Sequence, residues 1–153
     1  MITPVRGPAQ LAEVRRLFEA YLASLSFDLD FQGFADELAT LPGNYAPPGG
    51  ELLLAHLEDR SVCCVAMRPL GPGVCEMKRL FLDPAARSHG LGQALVAAII
   101  GVAREHGYTT MRLDTAADSM GPAVALYKRF GFREIAAYTP NPLPDALFLE
   151  LAL

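Results

Sequence analysis

The residues best spaced for chemistry are Arg87-Ser-His-Gly-Leu-Gly92, an RxxGxG run that leads straight into the apolar stretch beginning Gln93-Ala-Leu-Val. Glycines admit φ > 0 and let backbone approach a ligand closely. Successive free N–H groups at such a turn, aimed along the positive end of a helix, form a pocket for an anion such as a pyrophosphate. A dinucleotide fingerprint, GxGxxG, is the competing motif, and its third glycine would fall at position 95, which is Leu95. In that motif the first glycine follows its strand almost at once, whereas residues 83–89 separate Leu82 from Gly90. Asp114 has the spacing of a ribose-binding acid without the glycines to accompany it. A plain tight turn is the third reading of the same glycine pair.

An anion pocket of this kind needs a strand before the turn and a helix after it. Glu76 to Leu82 alternates as a strand, which places Met77, Arg79 and Phe81 on one face and Glu76, Lys78, Leu80 and Leu82 on the other. Pro84 cannot donate to a ladder and pushes Asp83 out of helical space, so the chain turns there. Leu91, Leu95, Ile99 and Val102 then line one helix face as far as His106-Gly107, where glycine suits a left-handed cap. Upstream, the pattern predicts a strand at Ile2 to Arg6 and a helix at Ala9 to Leu25. That helix carries an apolar stripe of Leu11, Val14, Leu17, Phe18, Tyr21, Leu22 and Leu25. A shorter helix is expected at Asp28 to Leu38, a turn-rich loop at Leu41 to Gly50, and a hairpin of Glu51 to Leu57 with Ser61 to Pro69. Downstream, Thr109 to Asp114 is a strand and Ala123, Leu126, Tyr127 and Phe130 mark a helix. Arg133 to Tyr138 and Ala146 to Leu151 are the last strands, separated by the proline-rich Thr139-Pro-Asn-Pro-Leu-Pro-Asp145.

Two of these stretches carry a resemblance. Glu76-Met-Lys-Arg-Leu-Phe-Leu-Asp-Pro84 followed by Arg87-Ser-His-Gly-Leu-Gly92 resembles the acyl-CoA-binding segment of the GNAT acetyltransferase superfamily. Ala125-Leu-Tyr-Lys-Arg-Phe-Gly-Phe132 resembles its second signature, a helix with a tyrosine before a Gly-Phe turn. The chain is thereby identified as a small single-domain member of bacterial type. The resemblance implies an α+β fold over residues 1–153, with a mixed, mostly antiparallel twisted sheet, helices on both faces and a splayed central strand. It also implies an acetyl-CoA-dependent N-acetyltransferase in which a primary amine of a small molecule or peptide attacks the thioester directly within a ternary complex. The alternatives are a non-catalytic acyl-CoA-binding sensor and a nucleotide-binding regulatory domain of the dinucleotide type.

Site residues follow from the same resemblance. Backbone of Leu80, Phe81 and Leu82 is the implied place for the pantetheine arm and the carbonyl oxygen. Arg87, Ser88, His89, Gly90, Leu91, Gly92 and Gln93 form the phosphate turn, with Lys128 near the nucleotide phosphates. Tyr127 matches the tyrosine that protonates the leaving thiolate. With reference pKa values of about 10 and about 8.5, full transfer is uphill by roughly 2 kcal/mol, so partial donation is the plausible role. An alkylammonium of pKa about 10.4 is neutral only about four times in ten thousand at pH 7, so a base is expected. Glu76 occupies the place, eleven residues before Arg87, where some histone-modifying members carry a glutamate base; Asp28, Asp114 and Asp118 are substitutes. Met120 stands where many members have a cofactor-contacting asparagine. Ser26 to Phe34 and Tyr138 to Asp145 correspond to loops that flank the acceptor, which makes Asn141 and one of Asp28 and Asp30 candidate acceptor-binding residues.

Composition narrows the setting. The chain has 153 residues, 52% of them hydrophobic and 20% charged, enough for one real core. A net charge of −4 argues against nucleic acid as a partner. Cys63, Cys64 and Cys75 suit reduced core thiols better than a disulfide framework, and no CxxC or HxxxH spacing suggests a metal. The longest apolar run, Ala94 to Ile100, is too short to span a bilayer, so neither a membrane nor a signal segment is expected and the cytoplasm is the expected location. A homodimer is compatible with all of this.

Overall fold

The structure, a computed structural model, describes residues 1–29 and 33–153. Seven strands form one sheet: β1 (Ile2–Pro4), β2 (Glu51–Leu57), β3 (Arg60–Gly71), β4 (Val74–Leu82), β5 (Thr110–Ala116), β6 (Arg133–Ile135) and β7 (Ala146–Ala152), in the order β1-β2-β3-β4-β5-β7-β6. Every neighbouring pair is antiparallel except β4 with β5. A parallel neighbour needs a crossover, and α3 (Leu91–Glu105) supplies it. The α+β class and the mostly antiparallel sheet are therefore as expected.

Helices cover both faces. α1 (Pro8–Ser24) begins with Pro8 in its first turn, where a missing N–H costs nothing, and buries Val14, Leu17 and Phe18 with α2 (Phe34–Thr40) against Leu52, Leu54, Cys64, Ala66 and Phe81. On the opposite face α3 and α4 (Gly121–Arg129) bury Leu95, Ile99, Leu126 and Tyr127 against Met67, Met77, Met111 and Leu149. Each such side chain contributes roughly 1.5–3 kcal/mol by leaving water. All three cysteines are buried and unpaired. No helix among the described residues is long and apolar enough to cross a membrane.

Two local departures from the sequence pattern matter. The second helix starts at Phe34 rather than Asp28, after Gly33 with φ 68°, so Asp28 does not cap it. In β4 the simple alternation breaks, because β3 places one residue, Val65, opposite both Arg79 and Leu80. This is a β-bulge, and Arg79 takes φ 61° within it. A left-handed non-glycine costs about 1–2 kcal/mol. Two short bonds from the Arg79 guanidinium to Glu37, at 2.8 and 3.0 Å, and its place 4.7 Å above the Phe34 ring offset that cost and pin α2 to the sheet. Because of the bulge, Met77 lies with Leu80 and Leu82 on the α3 face, while Arg79 and Phe81 lie on the α1 face. Strict alternation had predicted otherwise.

Candidate functional site

Strands β4 and β5 pair only over Val74–Glu76 and Thr110–Arg112. Beyond that point β4 continues along β3 to Leu82 and β5 continues along β7 to Ala116, so the two strands part. The gap opens a cleft of about 450 Å³ lined by Met77 to Leu82 on one side and Leu113 to Thr115 on the other. Tyr21 and Ser24 of α1 and the following Leu25 close it from one face, and Met120, Ala123, Leu126 and Tyr127 from the other, so the cleft joins the two faces of the sheet. This is the splay that the resemblance implied.

Arg87 and Gly92 lead from the cleft into the glycine turn. Asp83 accepts a bond from the Ala85 N–H at 2.9 Å and starts a 3-10 turn over Pro84–Ala86. Ser88 and Gly90 then adopt φ 75° and 71°, and Gly90 is the N-cap of α3. The first intrahelical bond runs from the Ala94 N–H to the Gly90 carbonyl, and no side chain caps the N–H groups of Leu91, Gly92 and Gln93. Those donors lie at the positive end of a fifteen-residue helix. The glycines serve different needs. A Cβ at Gly90 would touch nothing, so its requirement is φ, whereas a Cβ at Gly92 would stand 3.1 Å from Leu82 Cδ2, so its requirement is room. Arg87, Ser88, His89, Gln93 and Lys128 are exposed; Leu80, Leu82 and Leu91 are half-buried.

Tyr127 lines the cleft, its ring 5.8 Å from that of Phe132, and burial together with the nearby Tyr21 pushes its pKa up. Met120 also lines the cleft and its sulfur lies 3.2 Å from Thr115 Oγ1, so a thioether occupies the place where an asparagine was looked for.

The carboxylates divide clearly. Glu76 sits in the last paired rung before the strands part, 1% exposed. Arg68 Nε and Nη2 each lie 2.9 Å from Glu76 Oε1, and the Tyr138 hydroxyl donates to Oε2 at 2.6 Å. Glu76 is not part of the cleft lining. Asp114 is part of it: Oδ1 lies 3.5 Å from Lys78 Nζ, and Oδ2 accepts from Asn141 Nδ2 at 3.1 Å. Asn141 in turn accepts from the Leu143 N–H at 3.0 Å. The proline-rich loop is thus fastened to the sheet through the two carboxylates, Tyr138 to Glu76 and Asn141 to Asp114. Asp28 is exposed and outside the lining, Asp118 donates its N–H to Asp145 at 3.1 Å, and Asp30 lies outside the described residues. No group of residues suited to a metal occurs among the described residues.

Sequence reasoning passed over Tyr21, Lys78, Arg68 and Tyr138. Tyr21 was absorbed into an apolar stripe, although a tyrosine near the end of such a stripe carries a polar tip. In the structure its ring meets Phe81 edge-on at 6.1 Å, and burial pushes its pKa up to about 12 against the pull of Arg79.

The arrangement has close relatives in known proteins. The model of the Acetyltransferase (GNAT) family matches residues 13–132. An N-acetyltransferase of Schizosaccharomyces pombe is 42% identical over 154 residues, which covers 99% of this chain and 94% of that protein. A crystal structure described as an acyl-CoA N-acyltransferase from Klebsiella pneumoniae shares 31% identity and superimposes with a TM-score of 0.77 over 100% of this chain and 97% of its own. A GNAT-family acetyltransferase from Staphylococcus aureus, at 22% identity, shares the fold with a TM-score of 0.80. Relatives in a yeast and in bacteria show the family without narrowing it to a bacterial type. With more than three quarters of the chain under the family model and a full-length relative well above 30% identity, the chain belongs to the GNAT family of acetyltransferases.

Proposed function

We propose that this chain is an acetyl-CoA-dependent N-acetyltransferase that passes the acetyl group directly to a primary amine of a small molecule or peptide while both are bound. One observation carries the reading: the β4–β5 gap connects an uncapped helix N-terminus with a tyrosine on one face and a carboxylate on the other. The residues fit the cosubstrate, since β4 past Glu76 has no strand partner on its β5 side among the described residues and Gly92 keeps the space a Cβ would fill. Acetyl-CoA supplies the activated acetyl thioester when bound.

This chain's groups supply the rest. Backbone of Leu80, Phe81 and Leu82 receives the amide-bearing arm as an added strand and offers N–H groups to the carbonyl oxygen. Leu91, Gly92 and Gln93 N–H groups, with Gly90, Arg87, Ser88, His89 and Lys128 around them, hold the phosphates. Tyr127 donates a hydrogen bond to the departing sulfur. Its raised pKa keeps the phenol protonated and makes donation, not full proton loss, its role. Asp114, the carboxylate that faces the cleft, takes the proton of the amine. Glu76, the base expected from its position, instead holds Arg68 and Tyr138 with both oxygens engaged. Asn141 orients Asp114 toward the acceptor, and Asp28 is assigned to acceptor binding only through the resemblance.

The test is calorimetry with acetyl-CoA and, as a control, NADH, followed by a screen of amines, amino acids and lysine peptides with the acetylated product identified by mass. Binding of acetyl-CoA and not NADH, with product formed, is the expected result. Acetyl-CoA binding with no amine ever releasing CoA would instead favour a sensor.

A further inference from the structure

Of the 13 basic side chains in this sequence two are lysines, Lys78 and Lys128. Lys128 is exposed on α4, but Lys78 is buried in the wall of the cleft, 7% exposed. The cations beside it, Arg68 and Arg79, cannot give up a proton at any accessible pH, whereas a buried lysine can. Lys78 is therefore the one basic side chain lining the cleft, among the described residues, that can become a neutral nucleophile. Its Nζ lies 3.5 Å from Asp114 Oδ1, an acceptor for the proton that the amine must lose. Burial pulls the Lys78 pKa down, Asp114 and Glu76 oppose this, Arg79 and Arg68 reinforce it, and the net direction is downward. The sheet itself has thus placed an alkylamine, next to a carboxylate, in a cleft suited to amine acetylation.

We propose that Lys78 is an internal acetyl acceptor, modified by the enzyme's own bound donor when no amine substrate fills the cleft. The proposal rests on the acetyl-transfer reading given above. The lone pair of neutral Nζ attacks the thioester carbonyl carbon, the C–N bond forms, and the C–S bond breaks with its electron pair leaving on sulfur. The surplus amine proton passes by way of Asp114 to the departing sulfur. The products are CoA thiol and Nε-acetyl-Lys78, with no oxidation or reduction. Acetylation removes the charge facing Asp114, so a modified molecule is altered in the acceptor half of its cleft, and an amine substrate protects against the change.

Intact-mass and peptide mass measurement after incubation of the whole protein with acetyl-CoA alone tests this, alongside calorimetry of acetyl-CoA binding. The expected result is one added acetyl group, on the peptide containing Lys78, formed at least about tenfold faster than on Lys128, the advantage of holding the thioester beside one amine and not the other. Lys78→Arg should abolish it, and Asp114→Asn should slow it. A second arm needs no donor enzyme chemistry: acetic anhydride at neutral pH on the cofactor-free protein should label Lys78 despite its burial. If acetyl-CoA binds and is used on amines in a separate assay, yet Lys78 stays unmodified when the protein is incubated with acetyl-CoA alone, this inference alone is overturned. Failure of acetyl-CoA to bind overturns the function and this inference together. Equal modification of both lysines, or labelling by acetyl phosphate at the same rate, marks ordinary chemical acetylation and also overturns it.

Discussion

At Tyr127 and Glu76 the same short motif reading meets two different physical outcomes. Tyr127 was legible because the aromatic lies on an apolar stripe directly before a Gly-Phe turn, and the structure sets it in the cleft wall. Tyr127→Phe keeps the ring against Phe132 and removes only the hydroxyl, so kcat should fall about 10²-fold while acetyl-CoA affinity and thermal stability persist. A loss of stability with unchanged kcat would reduce it to a core residue. Glu76 was legible as a strand carboxylate, but nothing in the sequence announces that Arg68 and Tyr138 arrive from eight and sixty-two residues away to occupy its oxygens. Glu76→Gln leaves Arg68 facing a neutral amide and should lower stability by about 1–3 kcal/mol, read as a drop in melting temperature. Asp114→Asn should instead cut turnover most near neutral pH and recover partly in alkali, where the amine deprotonates unaided. Reversed outcomes, with the alkaline recovery in Glu76→Gln and the stability loss in Asp114→Asn, would return the base role to Glu76.

Elements were predicted well where a local pattern determines them, as in α3 from its stripe and glycine stop or the β2–β3 hairpin from its spacing. They were predicted poorly where the cause is a distant partner. The bulge at Arg79 depends on Glu37 and Phe34 of α2, and the splay depends on which strands β4 and β5 keep as neighbours, neither of which leaves a periodic trace. At the phosphate turn the two glycines predict distinct behaviour. Gly90→Val strains a left-handed cap without touching anything and should weaken acetyl-CoA binding in a folded protein. Gly92→Ala sets a methyl 3.1 Å from Leu82 and should displace that side chain in the cleft, raising the KM for acetyl-CoA with little effect on the backbone. Unchanged affinity by calorimetry in both variants would remove the turn from the cofactor site. In the proline-rich loop, Asn141→Ala releases Asp114 and should raise the acceptor KM while acetyl-CoA affinity holds; if only the melting temperature falls, Asn141 is a turn residue.

Across the whole molecule the sheet that was opened for ligands also stores titratable groups in the interior, and the shifts of its thiols and phenols share a sign. Burial raises Cys63 to about 11, Cys75 and Tyr21 to about 12, and Tyr127 and Tyr138 further, the last also through the charge of Glu76. An acid whose folded pKa exceeds its unfolded value of about 9 for the thiols here, or about 10 for phenols, holds more protons when folded in the interval between them. Its stabilising contribution is complete below the unfolded value and is lost as pH climbs through the folded one. Lys78 acts oppositely, since its folded pKa is lowered and the unfolded chain binds the extra proton, so its contribution grows with pH up to its unfolded value of 10.5. With several acids against one lysine, the melting temperature should be nearly level around neutrality and fall steeply from about pH 9 to 12. Tyr138→Phe lowers stability at neutral pH by losing its bond to Glu76, yet it removes one of the titrating groups, so its alkaline fall should be shallower than that of the wild type. A wild-type melting temperature that stays level to pH 12, or a Tyr138→Phe slope equal to the parent, would mean that these groups ionise without leaving the folded state.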